Sequence, residues 1–304
     1  MDNRLREECF MSRLSKDMVT LARQAGGSYK TVADRMKMAD RIATQLLKMN
    51  IQIRQAKNIK PKHVVMYANH RLAEGIAKRT IQNEVTAIRK ILTACGKSIM
   101  ANSDSISNKT LGISGASRAG TKEAIPDKVL NDAVQYAMSK HQGVAAILQL
   151  SRCLGLREEE AVQSVKSLHR WKQEIENNQS RVNVVFGTKG GRPRETTVLN
   201  HEKTLHAINF ALKVAEENKG KLIDKPNLHQ AIGVFRRVAM DGGLTGKHSP
   251  HSLRYAYAQD AAKFHEDKFS KKETLAMVSM DLGHGDGRGR YISQVYYKDG
   301  IEDN

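Results

Sequence analysis

The stretch "LGHGDGRGRYISQVYYKDG", Leu282–Gly300, sets His284 ahead of Tyr291, Tyr296 and Tyr297, with Arg288 and Arg290 between them. The whole chain has only eight tyrosines. Two explanations fit such a cluster. The rings could pack a core, or one phenol could be a nucleophile among groups that handle a phosphate. A free phenol has a pKa of about 10, so at neutral pH it needs a base or cationic neighbours to react. The second explanation therefore requires cations supplied from elsewhere in the chain.

Cations are abundant. The 304 residues carry a net charge of +18, with a pI near 9.8. Such an excess calls for a polyanionic partner, most simply nucleic acid. It is unevenly spread: residues 1–122 hold 23 Lys+Arg against 9 Asp+Glu, whereas residues 123–304 hold 27 against 23. The first part reads as a grip for a phosphate backbone, the second as a folded domain that tolerates acids. A hydrophobic content of 40% suits globular domains. There is no run of about 18 apolar residues, so no membrane span is expected. The start, "MDNRLREECF", lacks the apolar core of a signal peptide, and a cytoplasmic, nucleoid-associated protein is expected. Cys9, Cys95 and Cys153 are far apart, odd in number and without metal-ligand spacing, and so read as reduced thiols. His248 and His251, separated by a proline and lacking a third ligand, do not argue for a metal.

Four regions are expected. Residues 1–27 form a basic segment, either a further DNA contact, a protomer contact or disordered. Residues 28–101 form a helical DNA-binding domain. Apolar residues recur at helical spacing from Val32 to Leu47, Pro61 and Gly75 bracket a second helix, and Thr80 is an N-cap candidate for a third that closes on Gly96. Lys78, Arg79, Arg89 and Lys90 are candidate DNA contacts there. Residues 102–122, rich in Ser, Gly and Asn, read as a linker. Residues 123–304 form the second domain, mainly helical but for "SRVNVVFGTKGGRPRETTVLN" (Ser180–Asn200), where two β-rich runs flank a basic glycine turn and signal a hairpin. Trp171 reads as a packing anchor, and Tyr255 and Tyr257 as core.

Four segments of this second domain carry phosphate-seeking residues. In "LGLREEEAV" Arg157 precedes three glutamates, which suit the first turn of a helix. Lys189 sits among Gly187, Gly190 and Gly191 in the hairpin turn, with Arg192 and Arg194 beside it as candidate DNA contacts. In "KHSPHSLRYAYAQ" Ser249 is a candidate N-cap and Pro250 a candidate first helical residue, which sets His251 and Arg254 on one face. The fourth is His284.

Singly, each has an ordinary structural explanation. In order, "GLREEEA", "GTKGGRPRE", "HSLR", "LGH" and "QVYY" resemble the tyrosine recombinase (phage integrase) family over about residues 150–297. The "KRTIQNEVTAIRKIL" stretch is similar to a helix of that family's core-binding domain. The implied fold is mainly α: an N-terminal helical core-binding domain and an α+β catalytic domain with a small antiparallel hairpin. The implied activity is site-specific DNA recombination without metal, cofactor or ATP. Tyr296 would attack the scissile phosphodiester to leave a 3′-phosphotyrosyl link. Arg157 and Arg254 would hold the non-bridging oxygens, and Lys189 would protonate the departing 5′-oxygen. His251 would serve as acid/base near the nucleophile, His284 would donate to the phosphate, and Glu160 would brace the site.

Family spacing from the L-G-H element falls on Ser293, so "GDGRGR" reads as an enlarged loop that displaces the motif to Tyr296, twelve residues after His284. Tyr297 is the alternative nucleophile and Tyr291 a more distant one. Partners implied are double-stranded recombination sites, a homotetramer on two duplexes and DNA-bending accessory proteins. Seven residues follow Tyr297, little to exchange with a neighbouring protomer, so other surfaces are expected to join protomers. Two further readings share this chemistry or fold: a non-catalytic architectural or regulatory DNA-binding protein, and a type IB topoisomerase-like relaxase.

Overall fold

The computed structural model describes residues 12–117, 119–285 and 287–297. The chain divides into two compact units, Met1–Ser117 and Arg118–Asn304. Among the described residues no helix is long and apolar enough to cross a membrane.

The first unit is all helical: α1 (Arg13–Gln24), α2 (Tyr29–Lys48), α3 (Pro61–Ala73), α4 (Lys78–Ala94) and the short α5 (Ser98–Ala101). Ser12 and Ser28 cap α1 and α2, their hydroxyls accepting from the Ser15 and Thr31 amides, and Pro61 occupies the first turn of α3, where its missing N–H costs nothing. Apolar faces meet in one core that includes Met18, Ile42, Ile81, Ile88 and Ile91. Glu84 is buried and satisfied by the Tyr67 hydroxyl at 2.9 Å and by Arg71 at 3.0 and 3.1 Å.

Several expectations need correction here. Residues 1–27 are not a separate segment: α1 packs on α2 and buries Leu14, Met18 and Ala22, while residues 1–11 lie outside the described residues. Nor is all of residues 102–122 linker. Ile106, Leu111 and Ile113 insert into the first core; the polar residues around them supply turns, and three apolar anchors suffice to dock the segment. Arg89 is drawn into the same arrangement, donating to the Ile106 carbonyl at 2.6 Å and Asn108 Oδ1 at 2.9 Å, so it holds this segment rather than facing outward. Lys78, Arg79 and Lys90 are exposed. Thr80 lies inside α4, whose N-cap is Ala77.

The second unit contains α6 (Asp127–Lys140), α7 (Gln142–Leu154), α8 (Glu158–Val162), α9 (Leu168–Glu176), the hairpin β1 (Arg181–Val184) and β2 (Arg194–Thr197), α10 (His201–Glu217), α11 (Leu228–Asp241), α12 (Ser252–Glu266), α13 (Lys271–Asp281) and α14 (Gly289–Tyr296). The strands are antiparallel, with Arg181 opposite Thr197 and Val184 opposite Arg194. Helix α7 is central: Val144–Leu148, Leu150 and Leu154 are fully buried against α6, α10 and α12. It ends on Gly155 in the left-handed conformation (φ +56°), where a Cβ would collide with the Tyr257 ring. Trp171 anchors within this unit, its indole N–H donating to the Asn183 carbonyl at 2.7 Å and so tying α9 to β1. Tyr257 is core, as read, and its hydroxyl donates to the Thr197 carbonyl at 2.8 Å. Helix α12 starts two residues later than Pro250 suggests. A 3₁₀ turn, Gly246–His248, precedes it, and the Ser252 hydroxyl closes back on the Lys247 carbonyl at 2.6 Å.

If α1 belongs to the first core, Met18→Ala leaves a cavity there and should cost about 2–5 kcal/mol. A denaturant titration of the full chain should show its first-unit transition shifted to lower denaturant; an unshifted transition would separate α1 from that core.

Candidate active site

The site is assembled from the ends of elements in the second unit. The α7–α8 junction supplies Arg157, which precedes α8 with extended backbone while the Glu160 carboxylate reaches back to its amide at 2.8 Å. The same carboxylate accepts from Arg157 Nη1 at 2.6 Å. Helix α12 supplies Arg254 from its first turn, 1% exposed. Its Nη1 donates to the Gly155 carbonyl at 2.5 Å and its Nη2 to the Leu282 carbonyl. Arg157 Nη2 donates to that same Leu282 carbonyl at 2.8 Å. Two guanidinium groups thus converge on one backbone oxygen of the turn that carries His284.

Helix α14 delivers the tyrosine. The Tyr296 hydroxyl lies 3.3 Å from Arg254 Nε and 3.3 Å from His284 Nε2. Its ring leans on Tyr255, with centroids 4.6 Å apart. Tyr297 faces elsewhere: its hydroxyl donates to the Ala258 carbonyl at 2.7 Å, and burial raises its pKa. Neighbours on a helix differ by about 100°, so the two rings cannot share one target. Tyr291 packs beside His284, centroids 5.0 Å apart.

A cleft of about 720 Å³ is lined by Arg157, Lys189, Arg192, His284 and Arg288 among others. Lys189 and Arg192, at the hairpin tip, are exposed. His251 lines a neighbouring cleft of about 400 Å³ with Glu158 and Arg236; its ring meets Tyr255 edge-on at 5.6 Å, one ring removed from Tyr296. Arg194 does not face the cleft as a free cation. It is 6% exposed and bonded to Glu160 at 2.8 Å, so the expected DNA contact at this position becomes an internal one. Nor did the sequence signal the buried carboxylate of Asp281, which accepts from Thr197 Oγ1 at 2.8 Å, Arg181 at 3.0 Å and His265 at 3.0 Å and fixes the end of α13 against the hairpin. An acid just before "LGH" was the one available hint. Among the described residues no group of three or more His, Cys, Asp or Glu is placed to hold a metal ion.

The electrostatics follow from packing several cations together. Burial alone would raise the Glu160 carboxyl, but Arg194, Arg254 and Arg157 outweigh it and hold the pKa at about 2. Burial lowers Arg254 to about 10, still charged at neutral pH. Tyr255 is pushed up to about 12, first by burial. His284 is pushed down to about 3, by burial first and then by Arg254, Arg157, Arg288 and Lys189. His251 is lowered for similar reasons. Both imidazoles are therefore neutral in the free chain at pH 7. A neutral His284 can accept the Tyr296 hydroxyl proton while Arg254 Nε donates to the phenolic oxygen.

The depressed His284 pKa carries a sign. The unfolded chain takes up this proton near 6.5 and the native chain only near 3, so native stability is full above 6.5 and falls as the pH drops through that window. His284→Gln should flatten the decline in melting temperature between pH 6 and pH 4. An unaltered slope would mean that His284 is not held neutral.

The comparisons with known proteins agree with this architecture. The family model described as "Integrase" matches residues 112–260, and the one described as "Phage integrase, N-terminal" matches residues 11–101. The first spans Arg157, Lys189, His251 and Arg254 and ends before His284 and the late tyrosines. No curated protein matches the chain in sequence. Among solved structures, a lambda integrase tetramer bound to a Holliday junction superposes with a TM-score of 0.56 at 18% identity, over 96% of this chain and 79% of that one. The Tn1549 transposon integrase in complex with a circular intermediate DNA superposes with a TM-score of 0.60 at 13% identity, over 96% of each chain. At such identities the likeness speaks for the fold. With the two integrase models together spanning most of the sequence, the chain belongs to the tyrosine recombinase (phage integrase) family.

Proposed function

We propose that the chain recombines DNA by cutting and rejoining strands through a covalent 3′-phosphotyrosyl intermediate on Tyr296. The observation that carries this reading is the convergence of Arg254 and His284 on the Tyr296 oxygen, each at 3.3 Å. The phenolic oxygen bonds to phosphorus as the P–O5′ bond breaks. Its proton leaves to a neutral imidazole. His284 is the acceptor within hydrogen-bond distance in the free chain, and His251 stands one ring removed, against Tyr255. Lys189, exposed at the hairpin tip beside the cleft, gives a proton to the departing 5′-oxygen. Arg157 and Arg254 neutralise the charge that develops on the non-bridging oxygens; one such preorganised donor is typically worth about 3–4 kcal/mol. The phosphotyrosyl ester keeps the bond energy, so a new 5′-hydroxyl can attack it without ATP, and the two arginines supply the charge a metal would otherwise bring. Lambda integrase is known as a tetramer on a Holliday junction; the same arrangement on two duplexes is proposed here. The exposed Lys78, Arg79, Lys90 and Arg192 would grip the DNA backbone.

The test uses nicked suicide duplexes built from sequences that the full chain selects out of a random pool. The wild-type chain should form a covalent adduct that survives EDTA, and peptide mapping should place it on Tyr296. Tyr296→Phe should bind the duplex and form no adduct, while Tyr297→Phe still reacts. An adduct on Tyr297, or none with the wild type, overturns the reading. Affinity should also fall steeply with salt, as log Kd against log salt, because several phosphate contacts release counterions. A flat response would remove the backbone grip.

A further inference from the structure

We infer that Arg194 is a positioning residue that sets Arg157 for phosphate binding, an inference that rests on the recombinase reading above. One guanidinium here joins four parts of the chain. From β2, Arg194 Nη2 donates to Glu160 Oε2 at 2.8 Å and to the Gly155 and Leu154 carbonyls at 3.2 and 3.5 Å. Its Nη1 donates to the Asp281 carbonyl, and its Nε approaches Glu160 Oε1 at 3.4 Å. It therefore ties β2 to the end of α7, to α8 and to the end of α13.

Those segments carry the site. Glu160 holds Arg157 by both its amide and its Nη1, and Arg194 holds Glu160. Asp281 immediately precedes the Leu282–Gly283–His284 turn. Gly283 (φ +62°) rests on the stem of Arg194: a Cβ there would fall 2.6 Å from Arg194 Cδ and 3.4 Å from Arg157 Nη1. The glycine of the L-G-H element is thus required both by its backbone and by this side chain. Charge sharing completes the argument. Glu160 divides its attraction between two cations, so Arg157 keeps donors for an incoming phosphate, and its side chain is 20% exposed at the cleft. A lysine has a single ammonium and cannot span these acceptors.

The test measures adduct formation at saturating DNA for full-length Arg194→Lys and Arg194→Met on three scissile linkages. These are the phosphodiester, a methylphosphonate lacking the negative charge, and a 5′-bridging phosphorothiolate whose sulfur leaves without a proton. DNA affinity should be unchanged. The rate on the phosphodiester should fall about 10²-fold, the scale set by small misplacements of reacting groups. The methylphosphonate should close most of that gap, because Arg157 then has no anion to neutralise. The phosphorothiolate should leave it open. Recovery on the phosphorothiolate would assign the effect to Lys189 and overturn the inference. An equal deficit on all three linkages, which a merely structural role predicts, would overturn it too, as would no deficit. If Arg194→Met does not fold, Arg194→Lys, which keeps a cation beside Glu160, carries the test alone. A wild-type chain that forms no adduct on any linkage overturns the recombinase reading, and this inference with it.

Discussion

The carboxylate of Glu160, 1% exposed, sits between Arg157 and Arg194 and within the field of Arg254. Three guanidinium groups brought this close repel one another. Water cannot screen the repulsion where the groups are buried. One carboxylate and the carbonyls of Gly155, Asp281 and Leu282 offset it. Removing one partner of such a buried set leaves an uncompensated charge, a loss typically of about 3–5 kcal/mol. The knot of charge also fixes geometry, because the acceptors belong to three different elements. The ends of α7 and α13, together with α8, are held in one relation by the hydrogen bonds that neutralise the arginines.

The neutralisation is incomplete at the cleft. Arg157, Lys189, Arg192 and Arg288 face one cleft that lacks a matching set of acids. Burial, and then this surplus of cations, keep His284 neutral in the free chain. An arriving phosphate would reverse the local field and make protonation of the imidazoles easier. In the free chain the Tyr296 hydroxyl is held between Arg254 Nε and His284 Nε2.

Much of this was legible in the sequence. Helical spacing, Pro61 at a helix start and the glycine turn of the hairpin all act through neighbours a few residues apart, and the structure keeps them. Periodicity found α2 and α4 for the same reason. The misreadings share a cause. Arg89 and Arg194 read as DNA contacts because arginines are usually solvated, yet each is drawn inward by carbonyls distant in sequence. The 102–113 stretch looked like linker because its composition is that of turns, although three isoleucine and leucine side chains dock it. Helix α1 was hidden by its basic outer face, which outweighed the buried stripe of Leu14, Met18 and Ala22.

The sequence by itself determined the chemical inventory: two arginines, two histidines, a hairpin lysine and late tyrosines, in an order that suits phosphoryl transfer. It also determined the local elements that carry them, since caps, turns and amphipathic spacing are short-range properties. Only the tertiary structure decided which residues meet. Tyr296 turns toward Arg254 and Tyr297 toward the Ala258 carbonyl because α14 has one orientation against α12 and α13. Arg194 became interior because acceptors from three other segments converge there. Such convergence is a property of long-range packing, and no spacing along the chain encodes it.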